Sequence, residues 1–167
     1  MPAPSTSHSI SWRAFRALRP DLARIGGEMF YEFGIGLGFL ATVRPDGGPR
    51  VHPICPIRTD DALFALIVPG PKLADLRRDA RYALHSETFP PPRADDAFYI
   101  TGTALEVADR DQWDRVAAQL LAERDGMTRW PAFEAQVLFE FRLDGCLLTL
   151  TQANDTFPAG HTIWHAP

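Results

Sequence analysis

Cysteine is nearly missing from this sequence: Cys55 and Cys146 are the only two in 167 residues. A disulfide framework is therefore excluded as the source of stability. One bridge is compatible with the count, and reduced thiols in a cytoplasmic protein are the simpler reading. Long apolar runs are missing too. No window approaches the roughly 20 apolar residues of a membrane-spanning helix, and Met1 to Ser11 hold no apolar stretch of signal-peptide length. Positive charge is in deficit, with 17 Lys and Arg against 21 Asp and Glu and a formal net charge of −4. Broad nucleic-acid binding needs clustered cations against phosphates and is not expected, although a local basic pocket is allowed. No nucleophile or triad motif occurs, and there is no internal repeat. Asn154-Asp155-Thr156 matches a glycosylation sequon, which carries no weight without an export signal.

What is present fits one globular domain. The chain is 46% hydrophobic and 23% charged, an ordinary balance, and long enough to bury a core. Residues 1–10 read as a disordered tail and 11–167 as a single domain. Residues 11–33 are helical in pattern and interrupted at Pro20. Trp12, Phe15 and Leu18 form one apolar stripe, and Leu22, Ile25 and Met29 another. Gly34-Ile35-Gly36-Leu37-Gly38 reads as a turn with close backbone packing, leading into a strand that ends at Val43. Asp46-Gly47 supplies a hairpin turn.

The next strand, Pro49 to Ile57, alternates: Val51, Pro53, Cys55 and Ile57 on one face, Arg50, His52 and Ile54 on the other. Its three prolines make it an edge or bulged strand. A strand over Leu63–Val68 leads to a short helix over Pro71–Asp79. Strands follow over 81–88 and 97–107, then a helix that Asp109 and Gln112 cap. Val137 to Leu143, Asp144-Gly145 and Cys146 to Leu150 read as a closing hairpin. So many antiparallel strands in a small domain point to closure into a barrel.

Lys72 is the most informative residue. It falls in the first turn of a helix whose start is marked by Pro71, where its charge opposes the helix dipole. Free N–H groups and a lysine facing one space make an anion site suited to phosphate; the plainer reading is a solvated surface lysine. Arg50, on the strand that precedes the one leading into Lys72, adds a second cation if adjacent antiparallel strands bring the two together. Its alternative is a hairpin-flank charge facing water. His52 with Cys55 is too thin for a metal site. His161 and His165 have helical ligand spacing but lack the accompanying glutamate, and read as a tail that docks or frays. His85 and Glu87 share a strand face, and Phe89 to Pro92 form a stiff loop.

Gly38-Phe39-Leu40-Ala41-Thr42-Val43, Asp46-Gly47 and Arg50-Val51-His52-Pro53-Ile54 resemble the opening of the pyridoxamine 5'-phosphate oxidase-like flavoproteins. Leu63 to Leu66, Lys72 to Asp79 and Phe98 to Ala104 continue the same order of elements. The resemblance covers residues 36 to 108 and implies a mainly β fold, a six-stranded antiparallel split β-barrel of the FMN-binding type. It also implies a homodimer with flavin between protomers. Carried over, Arg50 and Lys72 would hold the FMN phosphate. Val51, His52, Pro53, Ile54 and Cys55 would run along the flavin ring, and Ile67 and Val68 would line the ribityl chain. Gly70-Pro71 departs from the family, which often has a hydroxyl and a further basic residue there. Trp164 is a candidate to reach the partner's flavin. The terminal Trp164-His165-Ala166-Pro167 lacks the arginine motif of true pyridoxamine 5'-phosphate oxidases, so that activity is not expected. The resemblance implies an FMN-dependent oxidoreductase acting on a small molecule. The alternatives are a deazaflavin-dependent reductase and a flavin- or haem-binding barrel without turnover.

Overall fold

The computed structural model describes residues 8–125, 127–130, 132–151 and 159–167. Helix α1 (Trp12–Leu18) starts where the Ser11 side chain accepts the Ala14 N–H at 3.3 Å, satisfying one of the donors a helix start leaves free. Helix α2 (Pro20–Met29) follows directly, with Pro20 as its first residue. Trp12, Phe15, Leu22 and Met29 are buried on the core side, whereas Leu18 at the end of α1 is exposed.

Eight strands follow: β1 (Gly38–Val43), β2 (Pro49–Ile54), β3 (Ile57–Arg58), β4 (Leu63–Ile67), β5 (Arg81–Ser86), β6 (Ala97–Glu106), β7 (Val137–Leu150) and β8 (Gly160–His165). Helix α3 (Pro71–Arg78) links β4 to β5, and α4 (Arg110–Glu123) links β6 to β7. The strands form one sheet in the order β2-β1-β5-β6-β7-β4-β3, with β8 also paired to β7. Every pairing is antiparallel. Among the described residues no ladder joins β2 to β3 or β4, so this half-barrel is open along that seam. It is a mainly β split barrel, as the resemblance implies, with eight strands in place of six.

The alternation in the sequence sets the inside. Leu40, Leu84, Phe98, Ile100, Phe139, Phe141 and Leu143 fill the interior under Phe15 and Phe30. Each large side chain buried this way contributes about 1.5–3 kcal/mol. A second cluster lies between α4 and the sheet, where Trp113, Val116, Ala117 and Leu120 meet Ile57, Phe64 and Leu138. The start of α4 is capped by Asp109, whose Oδ1 accepts the Asp111 and Gln112 N–H groups at 2.9 and 3.2 Å. The glycine run before β1 does make a close approach: a Cβ on Gly36 would overlap the Pro56 carbonyl oxygen.

Three expectations need correction. The strand expected over 49–57 is two, because the chain leaves β2 after Ile54 and resumes as β3 at Ile57 on the far side of the seam. The expected hairpin at Asp144-Gly145 does not exist; β7 is one strand of 14 residues. Its residues from Phe139 to Thr149 pair with the whole of β6, and a bulge at Thr101/Gly102 absorbs the irregular register. Asp144 accepts the Thr101 hydroxyl at 2.6 Å, and long-range pairing overrides the local turn preference. The C-terminal histidine segment, expected as a tail that docks or frays, docks as strand β8 against β7, with His161 Nδ1 and Thr149 Oγ1 3.0 Å apart. Finally, the N-terminal tail is shorter than expected. Ile10 pairs with Leu143 through reciprocal backbone hydrogen bonds of 2.7 and 2.8 Å, and Ser9 donates to Thr103 Oγ1 at 3.0 Å. Residues 1–7 and the sequon at Asn154 lie outside the described residues.

Candidate functional site

Strand order decides where the cations go. β2 is the edge of the sheet, as its prolines require, and pairs only with β1. Its inner face carries Arg50, His52 and Ile54, while Val51 and Pro53 face outward and are exposed. Helix α3 packs against β1, which brings the inner face of β2 next to the helix. Arg50 Nε donates to Asp75 Oδ2 at 2.6 Å. Asp75 lies three residues beyond Lys72, hence on the same side of α3. Strand pairing does not bring the two cations together as expected, since β2 and β4 are not neighbours in the sheet; Arg50 instead meets α3 at Asp75, one helical turn beyond Lys72.

Asp75 is the residue that sequence reasoning missed. Its side chain is 2% exposed. It accepts from Thr42 Oγ1 at 3.1 Å, from Arg50, and from Arg78 at 3.2 Å. Burial alone would raise its carboxyl; the hydrogen bonds from Arg50, Arg78 and Thr42 outweigh it and hold the group below its usual value. The signal was present in the sequence as Lys72-x-x-Asp75-x-x-Arg78, three polar positions at one-turn spacing on a short helix. Arg50 is thus neither free in solvent nor wholly committed to a ligand. Its Nε is taken by Asp75, while no described residue accepts from its terminal nitrogens.

Lys72 is the sole lysine in the chain. It is half-buried and has no hydrogen-bond or ion-pair partner among the described residues. Burial lowers its ammonium below the usual 10.5, with Cys55 nearby partly offsetting the effect. The helix starts at Gly70, whose φ of 154° is open to glycine and which offers no side-chain cap. The N–H groups of Lys72 and Leu73 are left for another acceptor, since the first backbone bond of the helix runs from Ala74 to Gly70.

The remaining expected residues divide in two. Val51 and Val68 are exposed at 60% and 51%, so their side chains are available to a flat apolar ligand or a partner surface. Ile54 and Ile67 belong to the core and offer a ligand only backbone. Cys55 is half-buried at the seam and faces the Arg124 guanidinium from the end of α4. Trp164 is half-buried, with its ring centroid 4.9 Å from that of Phe15 in its own chain. His85 Nδ1 lies 2.7 Å from the Ser86 carbonyl oxygen and Glu87 accepts the Thr88 N–H, so the two do not pair. Among the described residues no group of His, Cys, Asp and Glu is placed to hold a metal, and no helix is long and apolar enough to cross a membrane. A separate cleft of about 1170 Å³ opens between α1, α2 and the β3–β4 turn, and it contains none of the residues expected to bind flavin.

A half-barrel with an uncapped helix start at its open seam, and a lysine there without a partner among the described residues, defines a class of protein by its fold, the split barrels. No family model and no curated protein matches the sequence. Solved structures do match. HutZ, a haem storage protein from Vibrio cholerae, superposes with a TM-score of 0.62 at 17% identity over 81% of this chain and 99% of that one. A FAD-binding protein from Mesorhizobium loti gives 0.58 at 21% identity, over 74% and 91%. A Listeria innocua protein provisionally assigned as a pyridoxamine 5'-phosphate oxidase gives 0.55 at 15% identity, over 72% and 92%. The chain shares the split-barrel fold of the pyridoxamine 5'-phosphate oxidase-like proteins.

Proposed function

We propose that the chain binds FMN at the open seam and, as a cytoplasmic homodimer, passes hydride or electrons through it to a small-molecule substrate. The observation that carries this reading is Lys72: a half-buried cation without a partner among the described residues, at a helix start with free N–H groups, one turn from the Asp75 that holds Arg50. These groups fit a phosphomonoester, which takes charge-assisted hydrogen bonds from an ammonium, a guanidinium fork and backbone N–H groups together. The edge strand β2 turns half its backbone groups away from β1, where they suit the polar rim of a flavin ring. Val51 and Val68 supply apolar surface. When bound, the flavin supplies the redox chemistry, while this chain supplies orientation, phosphate neutralisation and exclusion of water. The fold shared with a FAD-binding protein supports the reading.

A second reading, a barrel that holds flavin or haem without turnover, is favoured by the extent of the match to the haem storage protein. A deazaflavin in place of FMN is a variant of the first. Purification and release of the cofactor separate them. A yellow protein whose flavin absorbance bleaches with a reduced nicotinamide supports the oxidoreductase. A Soret band, or a flavin that nicotinamides cannot reduce, supports the binder. Lys72→Ala is expected to weaken FMN binding about ten-fold, the scale of one charged hydrogen bond. Unchanged affinity, read by flavin fluorescence quenching, would remove the phosphate site from this helix.

A further inference from the structure

The 1170 Å³ cleft between α1, α2, the β3–β4 turn and α4 carries its own electrostatic logic. Four arginines and three carboxylates line it: Arg13, Arg16, Arg24 and Arg58 against Glu28, Asp60 and Asp61. Three of the arginines are accounted for. Arg13 pairs with Asp61, Arg16 pairs with Asp60 at 2.9 Å, and Arg24 pairs with Glu28 at 3.3 Å. Arg58 is left over.

Only its backbone is tied down. The Arg58 N–H donates to the Tyr31 hydroxyl at 2.8 Å, and its carbonyl accepts from Gln119 Nε2 at 3.0 Å. Its guanidinium has no hydrogen bond and no ion pair among the described residues. It lies 5.3 Å from the Tyr31 ring centroid, with Glu123 on the hydroxyl of that tyrosine at 3.3 Å rather than on the arginine. One terminal nitrogen rests on α2 where Gly27 has no side chain, since a Cβ there would collide with it. Arg58 is thus half-buried, held by a fixed backbone, an aromatic ring and a glycine, and it lines the cleft.

We infer that this cleft is a binding site for a small organic monocarboxylate, gripped by Arg58. A guanidinium matches a carboxylate with two parallel hydrogen bonds. The charge count of the lining suits one negative charge: Arg13, Arg16 and Arg24 are each matched by a carboxylate, and four cations against three anions leave a surplus of one. The volume admits an organic body behind the carboxylate. This site shares no residue with the proposed flavin seam, so the inference stands or falls separately from the FMN reading.

Sodium benzoate is the probe, with benzamide as its neutral counterpart, in ligand-observed NMR of the full chain at constant ionic strength. Benzoate is expected to bind and benzamide to bind at least about ten-fold more weakly. Arg58→Gln is expected to bring benzoate down to the benzamide level. Gly27→Ala, which pushes the guanidinium aside without removing it, is expected to weaken benzoate in the same direction and guards against a misfolded Arg58 variant. Arg77→Gln removes a cation paired with Glu106 outside the cleft and should leave binding within about two-fold. Absence of benzoate binding to the folded wild type overturns the inference. So does binding that survives both Arg58→Gln and Gly27→Ala, or that falls equally in Arg77→Gln.

Discussion

Asp75→Asn tests the arrangement that holds the two cations of the flavin seam together. The substitution keeps the shape of the side chain and an oxygen that can accept from Thr42, and removes the charge that Arg50 and Arg78 share. A hydrogen bond from a charged donor contributes about 1.5–3 kcal/mol when desolvated. The arginine side chains retain 28% and 39% exposure, so solvent screens both pairs and each is set nearer about 1 kcal/mol. The expected loss is about 2 kcal/mol, a fall in Tm of about 4–8 °C for a chain of this size. The pH dependence gives a second readout. The folded carboxyl titrates below its usual value of 3.8. Its stabilising contribution is complete above the ordinary aspartate value and is lost as pH falls through the lowered one. Thermal melts by circular dichroism should show wild type and variant a constant distance apart from neutral pH down to about pH 5, then converging on further acidification. Equal melting temperatures at neutral pH, or a gap that persists into strong acid, would refute the account of Asp75 as an ionised hub.

Gly102→Ala strikes the bulge that keeps β6 and β7 in register. Gly102 has φ 157°, and a Cβ would overlap the Arg142 carbonyl oxygen, a backbone atom that cannot swing away. The expected cost is about 3 kcal/mol or more, seen as a lower urea midpoint; an unchanged midpoint would mean the bulge is dispensable. The two thiols should differ sharply. Burial pushes the Cys146 thiol up to about 12 and leaves it 4% exposed, whereas Cys55 is half-buried at the seam. An aromatic disulfide reagent at pH 8 should titrate one thiol promptly and the other only after unfolding. Cys55→Ser should abolish the prompt reaction, and prompt reaction in that variant would contradict the burial of Cys146.

How much was readable from residue order follows from how local each signal was. The N-terminal helices, α3 and α4 were visible because helix starts and apolar stripes are set by neighbours within a few residues: Ser11, Pro20, Pro71 and Asp109 act where they stand. Edge placement of β2 was visible for the same reason, since a proline removes a ladder donor wherever the strand goes. The order of elements was enough for the split-barrel resemblance. The continuity of β7 across Asp144-Gly145 was not visible. A turn dipeptide and a strand position look alike until a ten-residue partner, β6, lies alongside. Nor was the break after Ile54, which exists because the chain crosses from one end of the sheet to the other.

The sites divide along the same line. Lys72 could be singled out because its conflict with the helix dipole is written into four consecutive residues, Gly70 to Leu73. Asp75 as the anchor of Arg50 could not, because the two lie 25 positions apart and meet only when α3 packs across β1. Arg58 looked like any other arginine. Its lack of a hydrogen-bond or ion-pair partner among the described residues emerges only after folding has matched Arg13, Arg16 and Arg24 to carboxylates and set the last guanidinium over Gly27. Local chemistry specifies which segments curl or extend and which side faces inward. Pairing between distant charges depends on distances that no sequence interval encodes.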